Sequence, residues 1–261
     1  MDRWCIALRS KIAQIRAGKY APDPQMFADA PPEVALLGED LAELAHVIKV
    51  REEAHHALTL EVHHRVKNNM QIVTSLLNLQ ARQIKEPVAR QALEQAQARM
   101  NALALVHRLL FEHRDDNNQG RIDIAMLLTA LCAQLRIAQR HKTYVQLRCD
   151  VRHQLLPNAS LVPLALFVVE VVTNAYRHAC PEGRDYTIAL TADNGLLRIT
   201  DDGTGFDVSS EFDSMGRQLI VALAQQLDGV LDITSRKDIG QKDASQADSG
   251  TIVTLHYPVA P

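Results

Sequence analysis

The sequence predicts an α+β chain in which a long helical hairpin precedes a mixed sheet covered on one face by helices. Three observations carry this reading. Residues 33–83 contain almost no helix breakers, a second helical run follows Pro87, and from residue 121 onward short β-prone segments alternate with apolar helical runs. A chain of 261 residues, 47% of them apolar, can fill one large core or two modest ones. Its formal charge of −3, from 28 basic and 31 acidic residues, supplies no basic field for nucleic acid. The partners expected are proteins and small anions.

Cys5, Cys132, Cys149 and Cys180 show no CxxC spacing, which fits a reducing compartment, and each is expected as a small core residue. The longest apolar run, 161–172, contains Pro163 and Glu170 and falls short of the roughly 18 residues that a membrane span needs. With no signal-peptide pattern at the start, the expectation is a soluble, cytoplasmic protein without membrane contact.

In chain order, Trp4, Leu8, Ile12 and Ile15 have helical spacing before Gly18, Pro22, Pro24, Pro31 and Pro32 interrupt the chain. Residues 1–32 therefore read as a short appendage. The runs 33–83 and 88–113, joined by a short turn at Pro87, make antiparallel neighbours within a unit spanning 33–118. At about 100° per residue, with Val62 as zero, Val66, Met70, Ile72, Val73, Leu76 and Leu77 fall on an arc from roughly −80° to +80°. That arc is the expected buried stripe. His64 lies near roughly 200°, facing water, and His63 near roughly 100°, at the border of the stripe. One hairpin cannot cover such a stripe alone, so a homodimeric four-helix bundle is expected.

Residues 119–261 read as a second domain. Strand character marks 121–124, 143–151, 185–191, 196–200, 230–235 and 251–257, with helical runs near 125–138, 160–179 and 215–227. The polar stretch 236–249 reads as a mobile loop before the last strand.

Three clusters in this domain stand out. Glu170, Asn174 and His178 recur every four residues on one helix face, with Arg177 beside them. Asp201-Asp202-Gly203-Thr204-Gly205-Phe206 directly follows a strand, and Asp213-Ser214-Met215-Gly216 opens a helix ahead of Gly250-Thr251. Singly, these read as a solvated helix face, a turn and an ordinary helix cap. Together they offer an amide oxygen for Mg²⁺, a carboxylate to accept the amino hydrogen of adenine, and a helix start to meet phosphate.

The motifs HHRVKNNMQIVTSLLNLQ, EVVTNAYRHA, DDGTGF, SMGRQLIVALAQQLDG and SGTIVTL, spread over residues 50–257, resemble the sensor histidine kinases of the HisKA_2 and HWE type. The resemblance implies a dimerisation and phosphotransfer hairpin followed by a Bergerat-type α/β sandwich ATPase domain, with ATP and Mg²⁺ as cofactors. It also implies a response regulator receiver domain as the partner whose aspartate takes the phosphoryl group. On the same resemblance His64 is the phosphoacceptor, Asn174 the magnesium ligand, Glu170 the acidic residue one turn earlier, and Asp201 the adenine-binding aspartate. Gly203 and Gly205 shape its turn, while Ser214, Gly216 and Thr251 match the remaining nucleotide contacts.

Phosphoryl transfer to an imidazole needs a neutral ring nitrogen in line with the γ-phosphate. Glu61, one turn before His64, is placed to orient the ring or take its proton; it reads equally well as a plain surface glutamate. Asn68, one turn after, is placed to orient water against an aspartyl-phosphate, and Arg65 and Lys67 to meet an acidic receiver pocket. The chain departs from the family at Arg217, where an apolar residue is usual, at Val169, where Asn is frequent, and in the short stretch between Gly205 and Ser214. Two functions stay open at this level. One is an ATP-dependent histidine autokinase; the other is a non-catalytic phosphotransfer or phosphatase scaffold.

Overall fold

The computed structural model describes residues 2–21, 26–27, 29–112, 120–139, 144–179, 185–206, 215–236 and 250–259. The chain forms two compact units, Met1–Val66 and Lys67–Pro261. In the first, helix α1 (Asp2–Arg16) ends where Gly18 takes a left-handed conformation at φ 73°. The Gly18 and Lys19 amides then donate back to the Ile15 and Gln14 carbonyls, which closes the helix end. Beyond it, helix α2 runs without a break from Pro32 to Gln83, so its last 17 residues belong to the second unit.

Helix α3 (Pro87–Glu112) starts at the proline that stops α2 from continuing. Gln97 Nε2 donates to Asn78 Oδ1 at 2.7 Å, tying α3 to the end of α2. The predicted buried stripe is not covered within the chain: Val62, Ile72, Val73 and Leu76 are all exposed. A single antiparallel neighbour cannot cover an arc that wide. Helix α3, by contrast, buries Ala102, Leu105, Val106 and Leu109 in the main core.

Strand β1 (Arg121–Asp123) pairs antiparallel with β3 (Leu155–Pro157), a three-residue strand too short to show periodicity in the sequence. Asp123 caps helix α4 (Ile124–Ala138) by accepting from the Ala125 amide at 2.9 Å. The five-stranded sheet is ordered β2 (Val145–Val151), β4 (Tyr186–Asp193), β5 (Leu196–Asp201), β7 (Gly250–His256), β6 (Val230–Arg236). Only the β2–β4 pairing is parallel, so the sheet is mixed as predicted. Helices α4, α5 (Asn158–His178) and α6 (Met215–Gln226) pack with it. Leu127, Leu131, Leu164, Phe167, Val168, Ile188, Leu190, Leu197 and Leu255 form the common core. Alternation along β4, with Tyr186, Ile188, Leu190 and Ala192 buried, matches a half-covered sheet.

Two expectations need correction. Cys5 is exposed and Cys149 half-buried, so only Cys132 is a core cysteine among the described residues; Cys180 lies outside them. Helix α5 is long and apolar enough to cross a membrane by composition, although most of that surface is buried inside the fold. Residues 237–249, expected as a loop, lie outside the described residues.

Candidate functional site

Helix α5 carries both the centre of the core and the first polar cluster. Phe167, Val168 and Val172 point into the core, while Glu170, Asn174 and His178 occupy successive turns. The structure gives these three residues different surroundings: Glu170 is completely buried, Asn174 half-buried and His178 exposed. A buried carboxylate is sustained only by dedicated partners. Glu170 has two, making three hydrogen bonds: Arg99 Nε donates to Oε1 at 2.5 Å, Arg99 Nη2 to Oε2 at 3.0 Å, and Gln95 Nε2 to Oε2 at 3.0 Å. Arg177 turns the same way, its Nη2 donating to the Gln91 carbonyl at 3.1 Å. Burial lowers the Arg177 pKa, against the opposing pull of Glu170 and Glu94.

Gly216, in the first turn of α6, faces this cluster. A Cβ on it would sit 3.7 Å from Asn174 Nδ2 and 3.8 Å from Glu170 Oε2. The start of a helix, an amide oxygen and a carboxylate thus meet at one place. Arg217 next to it lies over the Phe206 ring, 5.9 Å from the centroid. Ser214 and the short lid segment 207–214 lie outside the described residues.

The second cluster forms where β5 ends. Asp201 Oδ1 accepts from the amides of Gly203 at 3.1 Å and Thr251 at 3.2 Å, which fixes the carboxylate against β7. Burial pushes the Asp201 pKa above the usual carboxylate value, and these amides with the Tyr186 and Thr251 hydroxyls oppose that rise. Asp202 is a structural neighbour, accepting from the Thr187 amide at 2.8 Å. Gly203 lets the turn close on α5, because a Cβ there would lie 2.2 Å from the Ala179 carbonyl oxygen. Gly205 follows in a left-handed conformation at φ 61°. Ser235 completes the turn: its hydroxyl accepts from the Phe206 amide at 2.9 Å and lies 3.1 Å from Thr251 Oγ1.

The histidine motif lies on α2. Residues 61–139, which begin at Glu61 in that motif, match the HisKA_2 family model, described as histidine kinase. The chain is thus similar, over residues 61–139, to the HisKA_2 histidine kinases. It is similar to the sensor histidine kinase PdtaS of Mycobacterium tuberculosis, 28% identical over 208 residues, covering 76% of this chain and 39% of the relative. PdtaS of Mycolicibacterium smegmatis is 27% identical over the same length. The chain therefore spans 39% of the length of the curated relatives it matches. In structure it resembles the histidine kinase domain of the blue-light activated histidine kinase EL346 of Erythrobacter litoralis, with a TM-score of 0.54 and 20% identity. That likeness covers 77% of this chain and 92% of the solved one. It agrees with the predicted fold class, helices followed by an α/β sheet domain.

Within the matched residues, His64 is exposed, as the helical wheel required; the side chain of His63 lies outside the described residues. Glu61 is not directed to His64. Its Oε1 takes the Arg65 Nε at 2.7 Å in an i,i+4 pair with both side chains exposed, a contact worth about 0.3–0.5 kcal/mol. Asn68 and Lys67 are exposed.

Sequence reasoning missed Arg99, Gln95 and Ser235. A signal for the first was present. Arg99 stands three residues before Ala102 and seven before Val106, on the stripe that α3 buries, and a cation on an apolar face requires a buried acid opposite it.

Proposed function

We propose that this chain is an ATP-dependent protein-histidine kinase that phosphorylates His64 and passes the phosphoryl group to an aspartate of a response regulator receiver domain. The observation that carries the reading is the convergence of Asn174, Gly216 and the anchored Asp201 turn on helix α5 in a chain that also matches the HisKA_2 family model. The domain division that serves it is 33–118 as the phosphotransfer hairpin and 119–261 as the nucleotide domain.

ATP with Mg²⁺ supplies the γ-phosphoryl group and offsets its charge. The Asn174 amide oxygen suits Mg²⁺, which takes oxygen ligands. The Asp201 carboxylate, held by two backbone amides, suits the amino group of adenine; the first turn of α6 at Gly216 suits phosphate. His64 contributes a ring nitrogen as nucleophile: its bond to phosphorus forms as the bond to the departing ADP oxygen breaks, and the ring gives up its proton. Glu61 takes that proton only after Arg65 releases it. Asn68 orients water against the aspartyl-phosphate of a docked receiver, giving a phosphatase on the same helix. The exposed stripe of Ile72, Val73, Leu76 and Leu79 is covered by a second copy, forming the four-helix bundle.

One observation favours the second reading, a phosphotransfer or phosphatase scaffold: both carboxylate oxygens of Glu170 are already occupied. Incubation with γ-labelled ATP and Mg²⁺ separates the two. Acid-labile label present in the wild type and in His63→Ala, and lost in His64→Ala, supports the kinase. No label together with no nucleotide binding sinks it, and label retained by His64→Ala moves the acceptor elsewhere.

A further inference from the structure

Helix α3 grips helix α5 through residues four positions apart, Gln91 by its backbone and Gln95 and Arg99 by their side chains. Gln91 offers its carbonyl to Arg177, Gln95 donates to Glu170 Oε2, and Arg99 clasps both oxygens of Glu170. Positions 91, 95 and 99 share one face of α3, and their partners on α5 run in the opposite direction, Arg177 before Glu170. Both partners flank Asn174, and Glu170 Oε2 lies beside Gly216. The residues that would receive a nucleotide are thus interleaved with those that fasten the hairpin to the nucleotide domain.

We propose that this contact is a latch, in which Gln95 and Arg99 of the hairpin compete with Mg²⁺-nucleotide for Glu170. The inference rests on the nucleotide site assigned above. The carboxylate is completely buried and carries three donors, so a metal-bound water at Asn174 gains Glu170 as an acceptor only when α3 lets go. Binding then weakens the hold of α3, and by linkage loosening α3 strengthens binding by the same factor. The hairpin thereby senses nucleotide through a side chain that never leaves the second compact unit.

The test measures the Kd of Mg·ADP by calorimetry on the full chain, together with hydrogen exchange of residues 91–100. Gln95→Ala removes one neutral donor and strands no charge; it is expected to tighten binding by about 2- to 10-fold, the equivalent of one hydrogen bond. Arg99→Lys keeps the positive charge but loses the two-pronged grip, and is expected to tighten binding at least as much. Adding Mg·ADP to the wild type should speed exchange across 91–100. A pair with a purely structural role lowers the melting temperature of these variants and leaves the Kd unchanged or weaker; that result overturns the latch while leaving the nucleotide site standing. Unchanged exchange on saturation with Mg·ADP overturns it as well. If neither the wild type nor the variants bind Mg·ADP, the nucleotide site itself falls, and the latch with it.

Discussion

At the scale of residues, Asp201 shows how one carboxylate serves two ends. Its Oδ1 is spent on the Gly203 and Thr251 amides, and burial holds its pKa above the usual carboxylate value. Ionisation is therefore lost on acidification earlier than for an exposed aspartate. Mg·ADP affinity should fall as pH drops through a window above the ordinary carboxylate range, and Asp201→Asn should weaken binding by roughly 10- to 100-fold, the worth of a hydrogen bond to a charged group. Calorimetry between pH 7 and 4 checks both; a flat profile counts against the assigned role. Cys149 offers a second residue-scale test. A hydrogen bond from Cys132 pulls its pKa down to about 7, against burial and with the help of Arg136. Its alkylation rate should reach half its plateau near that pH, read by mass spectrometry of the labelled peptide.

At the scale of elements, caps and breakers explain why some parts were readable in the sequence and others were not. Helices α2 and α3 were legible because Pro32 and Pro87 mark their starts and nothing strong interrupts them. Strand β3 was not legible, since three residues carry no period and its position follows from pairing with β1. Asp123, which opens α4, also holds the Gln154 amide at 3.1 Å and His153 Nδ1 at 2.5 Å. Burial alone would raise its pKa, but the Ala125 and Gln154 amides and His153 together lower it. A carboxylate with a depressed folded pKa stabilises the fold above its unfolded pKa, and that contribution disappears as pH falls through the folded value. Asp123→Ala should cost about 1 kcal/mol at pH 7, with the difference from wild type shrinking toward low pH in urea titrations.

At the scale of the whole molecule, what was legible of the candidate site was its residue types, and what was hidden was their long-range contacts. Asn174, Asp201, Gly203 and Gly216 stood out as types at suggestive spacings, and the structure brings Asn174 to Gly216 and Asp201 to Thr251. That Glu170 would be taken by Arg99 depends on a contact between residues 71 positions apart, which no local pattern encodes. The stripe on α2 was read as an apolar face that one hairpin cannot cover, and Ile72, Val73 and Leu76 are exposed in the single chain. Its exposure makes a prediction of assembly. The solution mass should be that of a dimer at micromolar concentration, and Val73→Glu with Leu76→Glu should shift it to a monomer while far-ultraviolet circular dichroism stays helical.

One helix, α5, builds the centre of the core with Phe167 and Val168 and bears Glu170 and Asn174 on the turns that follow. Such a helix cannot open locally, because its amides are released only when the surrounding core comes apart. Glu170 and Asn174 are therefore held as durably as the fold itself, and mutations that loosen the core elsewhere will lower the number of intact copies of this helix rather than its geometry.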